Sequence, residues 1–158
     1  MNVVIKELDA DLAPHFIRLN RAWIERLFEL VPADESILAD PRKLVDGGGA
    51  VLFVVIGDEV VGTGGLQRLD AETVEVVKMA VDPAHQGKGL GGRLMTALVE
   101  TARAKGFARA YIETNSALTA ANQMYRKFGF GATGQTKSRH GYDRADVFYE
   151  LQLTPKGI

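Results

Sequence analysis

The chain has 158 residues, 46% of them hydrophobic and 25% charged, which are the proportions of an ordinary globular protein. Nineteen basic and 20 acidic residues give a formal net charge of -1, so no bulk field attracts nucleic acid or anionic lipid. The absence of cysteine excludes a disulfide framework, a thiolate metal site and a cysteine nucleophile. No apolar run suits a signal peptide or a membrane span. We therefore expect a single domain over residues 1–158, located in the cytoplasm.

The first third of the chain predicts one strand and one amphipathic helix. Residues 3–7 form the strand. Apolar residues then recur every three or four positions, the spacing of one helix face, and the helix ends before Pro32. These residues are Leu12, Phe16, Leu19, Trp23, Leu27 and Leu30. In residues 33–49, short helical signals alternate with turn signals, which include Pro41 and three consecutive glycines.

The middle of the chain predicts an antiparallel meander of three strands. Residues 51–56 and 60–67 flank the hairpin sequence Gly57-Asp58-Glu59. The third strand is the run of β-branched residues from Val74 to Val81.

The last third predicts alternating helices and strands. These elements are a helix over 90–105 that stops at Gly106, a strand over 108–113, a helix over 119–128 and a strand over 146–153. The right-handed crossover rule makes strand 108–113 a parallel neighbour of strand 74–81. The expected fold class is therefore α+β, with three α/β layers and a mixed central sheet of about six or seven strands flanked by about four helices.

A glycine-rich turn joins strand 74–81 to helix 90–105. Four glycines fall within the six residues from Gly87 to Gly92, so few side chains keep a ligand away from the backbone. The free N–H groups and the positive dipole end of the following helix suit phosphate oxygens. The alternative is a tight turn that needs glycine only for its dihedral angles.

Two nucleotide-binding patterns can be compared with this turn. Gly87-x-Gly89-x-x-Gly92 spells the dinucleotide fingerprint, and Glu113 ends the next strand, where a ribose-binding acid would lie. Such folds normally open with this turn directly after the strand, whereas here residues 82–86 intervene. A nucleoside-triphosphate loop fits less well, because Lys88 is followed by glycine and not by serine or threonine.

A closer match is to a family signature. The pattern Gln86-x-x-Gly89-x-Gly91, after a strand ending in Met79-Ala80-Val81-Asp82-Pro83, resembles the acetyl-CoA-binding motif of the GNAT superfamily of N-acetyltransferases. A second block, residues 111–115 and 121–130, resembles the next strand and helix of that family and closes on its Tyr-x-x-x-Gly-Phe pattern. The resemblance is strong over residues 50–130.

The resemblance implies the GNAT-like acyl-CoA N-acyltransferase fold, with acetyl-CoA as acyl donor between two splayed parallel strands. Backbone N–H groups of the turn would hold the pyrophosphate, with charge from Lys88 or Arg93, and Gln86 would organise the loop. The backbone of Met79 and Val81 would pair with the pantetheine arm, and one N–H there could face the thioester oxygen. The implied donor-binding residues are Met79, Ala80, Val81, Gln86, Gly87, Lys88, Gly89, Leu90, Gly91, Gly92, Arg93, Asn115, Asn122 and Tyr125.

Amine attack on a thioester needs an acid for the departing thiolate. Tyr125 matches the tyrosine that fills this role in many family members. A phenol with a reference pKa near 10 stays protonated at neutral pH, above the pKa of ~8.5 of a thiol. The alternative is a helix-face aromatic packed on Phe128 and Phe130.

The attacking amine must also lose a proton to a base. Glu75 lies among valines at a place where family members often carry an acid, and desolvation would raise its pKa. The alternative is an edge carboxylate paired with Lys78 or facing solvent. Because there is no cysteine to carry an acyl group, we expect direct transfer to a primary amine of a small molecule or peptide.

Several features bear on the acceptor and on carrier contacts. Asn115 and Asn122 flank the cleft, although Asn122 could equally lie on the helix surface. Leu118 replaces an asparagine common in the family, with Asn115 as a substitute. In the charged loop 136–144, Arg139 or His140 would meet an acceptor carboxylate; otherwise the loop is simply solvated.

No set of His, Asp and Glu has the sequence spacing of metal ligands, so we expect no metal. Dimerisation through the C-terminal strand is common in such folds, so a homodimer is compatible with the sequence. Two other functions remain open: a non-catalytic acyl-CoA sensor on the same fold, and an NAD-dependent oxidoreductase.

Overall fold

The computed structural model describes residues 2–27 and 32–154. The strands are β1 (Val3–Glu7), β2 (Ala50–Ile56), β3 (Glu59–Arg68), β4 (Thr73–Val81), β5 (Arg109–Thr114), β6 (Gly131–Ala132) and β7 (Val147–Gln152). The helices are α1 (Ala13–Leu27), α2 (Pro32–Ala39), α3 (Arg42–Asp46), α4 (Leu90–Ala104) and α5 (Thr119–Phe128), with a 3₁₀ turn at Pro83–His85.

The seven strands form one mixed sheet in the order β1-β2-β3-β4-β5-β7-β6. All described neighbours are antiparallel except β4 and β5, so the predicted parallel pair is confirmed. The glycine-rich turn follows the fourth strand, and this sheet has no second parallel pair among the described strands. This topology excludes the doubly wound dinucleotide fold, on which the oxidoreductase alternative rests.

Helices cover both faces of the sheet, as predicted. On one face, α4 and α5 bury a large apolar cluster that includes Leu94, Leu98 and Tyr125. On the other face, α1, α2 and α3 contribute Phe16, Leu38 and Leu44 to a second cluster. Side chains alternate between the two faces along each strand, so the neighbouring residues Val74 and Glu75 point in opposite directions.

β4 and β5 pair only over their first three residues, from Thr73 opposite Arg109 to Glu75 opposite Tyr111. β4 then continues to Val81 without β5 beside it. Its register with β3 shifts between Thr63 and Gly65, where Lys78 takes a φ of +53°. A bulge of this kind bends and twists a strand, so the parallel pair opens into a V.

Two details differ from the sequence expectations. The helix of the first third ends at Leu27 in the described residues, and Pro32 begins α2; Leu30 lies outside the described residues. The two-residue strand β6 was not predicted, because it is too short for any periodicity. No helix in the described part of the chain is long and apolar enough to cross a membrane.

Candidate active site

The glycine-rich turn ends in a bare helix N-terminus. Gly89 caps α4 in the left-handed conformation, with φ +77°, and no side chain caps the helix. A Cβ added at Gly87, Gly89 or Gly92 would meet nothing within 4 Å. The first N–H groups of the helix therefore face open space that side chains would otherwise fill, and this cradle fits a diphosphate.

Side chains around the turn hold its shape. Gln86 Nε2 donates to the carbonyl of Val81 at 3.1 Å, and Asp82 Oδ1 accepts from the backbone N–H of Ala84 at 2.9 Å. Lys88 and Arg93 are exposed at the rim. Leu90 is only 1% exposed, so its side chain belongs to the core and only its N–H is available to a ligand.

The free edge of β4 faces the V. The N–H of Asp82 donates to the carbonyl of Val61 on β3, at 2.7 Å. Because successive residues of a strand turn their N–H groups to opposite edges, the N–H of Val81 points away from β3, as does that of Met79. Ala80 is 8% exposed, and its side chain packs in the cluster under α1.

Tyr125 lies on α5 and is 8% exposed. Its ring packs edge-on against Phe130 and Tyr149, at centroid distances of 6.2 and 5.9 Å, so the expected packing on Phe130 is observed. Burial, and secondarily Tyr149, raise its pKa to about 12, so the phenol keeps its proton at neutral pH. Within residues 2–27 and 32–154, its hydroxyl makes no hydrogen bond. The phenol is therefore protonated, and it donates no hydrogen bond to an acceptor in the described residues.

Glu75 forms a buried pair with His140. The distance from His140 Nε2 to Glu75 Oε1 is 2.6 Å, and the Glu75 side chain is only 5% exposed. Burial raises the pKa of Glu75, and the hydrogen bond to Glu75 raises the pKa of His140. The alternative of a solvent-facing carboxylate is therefore wrong, since the Glu75 carboxylate is bound by a histidine from a loop 65 residues away along the chain.

Glu113 fixes the loop that carries His140. Its carboxylate accepts hydrogen bonds from Ser138 Oγ at 2.5 Å, the Arg139 N–H at 2.8 Å and the Tyr111 hydroxyl at 2.7 Å. The Arg139 guanidinium lies over the Tyr111 ring, 4.6 Å from its centroid. The loop is therefore not simply solvated, and Glu113 organises it instead of serving as a ribose-binding acid.

This arrangement brings together potential metal ligands that sequence spacing did not indicate. One ligand atom each from Glu75, Glu113 and His140 lies within 4.8 Å of the others. The three residues come from β4, β5 and the loop before β7, so spacing along the chain carries no signal of the cluster. All three already have partners: Glu75 and His140 bind each other, and Glu113 binds three protein donors.

The side chains of Asn115 and Asn122 form hydrogen bonds around the start of α5. Asn122 is 4% exposed, so its alternative placement on the helix surface is wrong. Its Nδ2 donates to the carbonyls of Asn115 and Leu118 at 2.9 and 2.8 Å, and its Oδ1 accepts from the Tyr149 hydroxyl at 2.9 Å. Asn115 Nδ2 donates to the carbonyl of Arg144 at 2.6 Å. Both amides bind protein groups, which argues against the expected carrier contacts.

His140 is the residue whose role the sequence reasoning missed. From the sequence, the loop 136–144 is expected only to contact an acceptor carboxylate. The sequence shows only that His140 lies in a polar loop before the last strand, and this does not indicate which residue it contacts.

A V between two parallel strands, leading to a bare helix N-terminus, defines the acyl-CoA N-acyltransferase class of fold. Residues 15–130 match the model of the acetyltransferase (GNAT) family. The chain therefore belongs to the GNAT acetyltransferase family, as its motifs predict.

Individual relatives agree with this assignment. The chain is 34% identical over 152 residues to the N-alpha-acetyltransferase RimI of Mycobacterium tuberculosis, covering 89% of this chain and 94% of that protein. It is 40% identical over 86 residues to the uncharacterized N-acetyltransferase YjgM of Escherichia coli, and this alignment spans about half of each protein, 52%. The structure of yncA from Salmonella typhimurium with its cofactor acetyl-CoA superposes with a TM-score of 0.80 at 24% identity, covering 100% of this chain and 98% of that one.

Proposed function

We propose that the protein transfers an acetyl group from acetyl-CoA directly to a primary amine of a small molecule or peptide. The observation that carries this proposal is the opening between β4 and β5, with the Glu75–His140 pair where the strands part and the glycine cradle beyond Val81. A plain binding module would not need the buried titratable pair at that point.

The donor would be held mainly by backbone groups. N–H groups between Gly87 and Gly92 would bind the diphosphate, and Lys88 and Arg93 would add charge at the rim. The free edge of β4, from Met79 to Val81, would pair with the pantetheine arm as an added strand. One N–H of this edge would stabilise negative charge on the thioester oxygen.

The Glu75–His140 pair would accept the amine proton. When His140 has lost its Nδ1 proton, the Glu75 carboxylate accepts a hydrogen bond from His140 Nε2–H, which orients the ring and leaves Nδ1 as the proton acceptor. Burial of Glu75 and the short hydrogen bond both favour proton binding by the pair. His140 is thus the proposed base, and Glu75 shifts from the base predicted from sequence to the group that positions it.

Tyr125 would supply the second proton. Acetyl-CoA brings an activated thioester, so an amide C–N bond forms and the C–S bond breaks. The proton lost by the amine goes to His140 Nδ1, and the departing sulfur receives one from the Tyr125 hydroxyl. Solvent then restores both groups to their starting states.

The direct test measures thiol release from acetyl-CoA with a panel of primary amines, together with the mass of the product. We expect one CoA thiol for each acetylated amine. Tight acetyl-CoA binding without thiol release from any amine would contradict the transfer and support a non-catalytic acyl-CoA sensor.

A further inference from the structure

A cavity of about 190 Å³ lies between α2, α3 and the end of β3. Ile37 and Leu44 form its apolar side. Its polar side is formed by Ser36, Lys43, Gln67 and Arg68. The cavity therefore combines a short apolar wall with two cations, and none of the described residues that line it is a carboxylate.

The polar groups of this cavity are not engaged elsewhere. Within residues 2–27 and 32–154, the side chains of Ser36, Lys43, Gln67 and Arg68 make no hydrogen bond or ion pair. Two other arginines have acidic partners: Arg21 lies 2.8 Å from Glu35, and Arg109 lies 3.3 Å from Glu72. The two cavity cations are thus available to an anion brought by a ligand.

The cavity adjoins the proposed proton acceptor. Gln67 on β3 is the register partner of Glu75 on β4. Directly opposed residues of antiparallel strands point to the same face, with Cβ atoms about 5 Å apart. A small molecule with its amine at the Glu75–His140 pair can therefore reach the cavity with its other end.

The chain also leaves room for the Arg68 side chain. Gly48, in the loop before β2, has a φ of +101°, and a Cβ there would lie 2.9 Å from Arg68 Cδ. Any side chain at this position would displace Arg68. The glycine therefore allows the aliphatic part of the Arg68 side chain to lie against this loop, at the wall of the cavity.

We infer that the acceptor is a primary amine that also carries a carboxylate, with the carboxylate bound in this cavity by Lys43 and Arg68. This inference rests on the proposed function and names the substrate class for it. It places anion recognition beside α3 and not on the loop 136–144, where His140 already binds Glu75.

The experiment compares ω-amino acids of three to six carbons with their carboxamides as acceptors in the thiol-release assay. Each pair has the same amine and the same chain length, so only the negative charge differs. We expect kcat/KM to be about tenfold higher for the carboxylate than for the amide at the best chain length, the scale of a hydrogen bond to a charged group.

Variants then locate the binding site. Arg68→Gln and Lys43→Gln should each reduce the carboxylate-to-amide ratio about fivefold or more by raising KM for the carboxylate, with KM for acetyl-CoA unchanged. Arg42→Gln is the matched control, because it removes one exposed charge from α3 without altering the cavity lining. It should leave the ratio unchanged.

The outcomes separate this inference from the proposed function. Turnover of amines with no preference for carboxylates overturns the inference alone. So does a preference lost in Arg139→Gln but kept in the Arg68 and Lys43 variants, since the anion would then bind at the loop. Failure of every amine to release thiol overturns the proposed function and this inference with it.

Discussion

His140 Nε2 lies 2.6 Å from Oε1 of Glu75, which joins the loop before the last strand to the point where β4 and β5 part. The side chain of Glu75 is 5% exposed and that of His140 is 26% exposed. The carboxylate is therefore shielded while the ring remains accessible from one side. An orienting acid behind a reachable imidazole is the arrangement that a proton acceptor needs.

The pH dependence of the rate should report on this pair. The hydrogen bond to Glu75 raises the pKa of His140, so the active, unprotonated ring accumulates only as pH rises above that pKa. We expect kcat/KM to increase with pH and then level off. Glu75→Gln removes the charge that stabilises the imidazolium, so the inflection should move to lower pH and the plateau rate should fall about 100-fold.

His140→Gln should remove the inflection that belongs to His140. All variants are measured with one acceptor, so the titration of its own amine is common to every profile. An inflection that persists unchanged in both variants would show that neither residue carries the proton.

Tyr125→Phe should lower kcat about 100-fold, the range of one general acid, with little change in acetyl-CoA affinity. The hydroxyl has no hydrogen-bond partner in the described part of the chain, so its loss should not destabilise the fold. Single-turnover kinetics and calorimetric titration with acetyl-CoA measure the two effects.

Tyr149→Phe is the control for Tyr125. It removes a hydroxyl that donates to Asn122, at 2.9 Å, and should cost about 1 kcal/mol of stability while kcat is kept. Equal turnover of wild type and Tyr125→Phe would remove Tyr125 from the mechanism.

Gly92→Ala tests the glycine cradle. An added Cβ meets nothing within 4 Å, and alanine favours a helix over glycine by up to about 1 kcal/mol, so Tm should not fall. The same Cβ would occupy the proposed diphosphate site, and KM for acetyl-CoA should rise about tenfold or more.

Gly131→Ala is the matched control, because its Cβ would also meet nothing within 4 Å, but on β6. It should leave KM for acetyl-CoA unchanged. An equally small effect of both substitutions would place the diphosphate elsewhere.

Asn122→Ala should act on stability and not on donor binding. It removes the buried acceptor of the Tyr149 hydroxyl, while the carbonyls of Asn115 and Leu118 keep their backbone N–H partners, so the cost should be about 1–3 kcal/mol. Urea unfolding measures this loss, and the exposed neighbour Gln123→Ala should show almost none. A fully stable Asn122→Ala with weak acetyl-CoA binding would instead restore Asn122 as a carrier contact.

The local sequence determined most of the fold. Runs of β-branched residues, helical spacing and glycine turns are properties of neighbours along the chain, and they predicted every described strand except β6. The glycine turn from Gly87 to Gly92 and the Tyr125 block likewise carry their signal within a few residues. The family followed from these two blocks.

Only the tertiary structure decided the partners of the site residues. Glu75 pairs with His140, Glu113 accepts from the N–H of Arg139, and Asn122 accepts from the Tyr149 hydroxyl, each across a gap in sequence that no periodicity spans. The V also depends on a bulge at Lys78, where the register of β4 against β3 shifts. This shift separates the ends of β4 and β5, which the sequence predicts only as parallel neighbours. Hydrogen bonds between distant side chains form only when packing brings their elements together, so the chain order alone does not encode them.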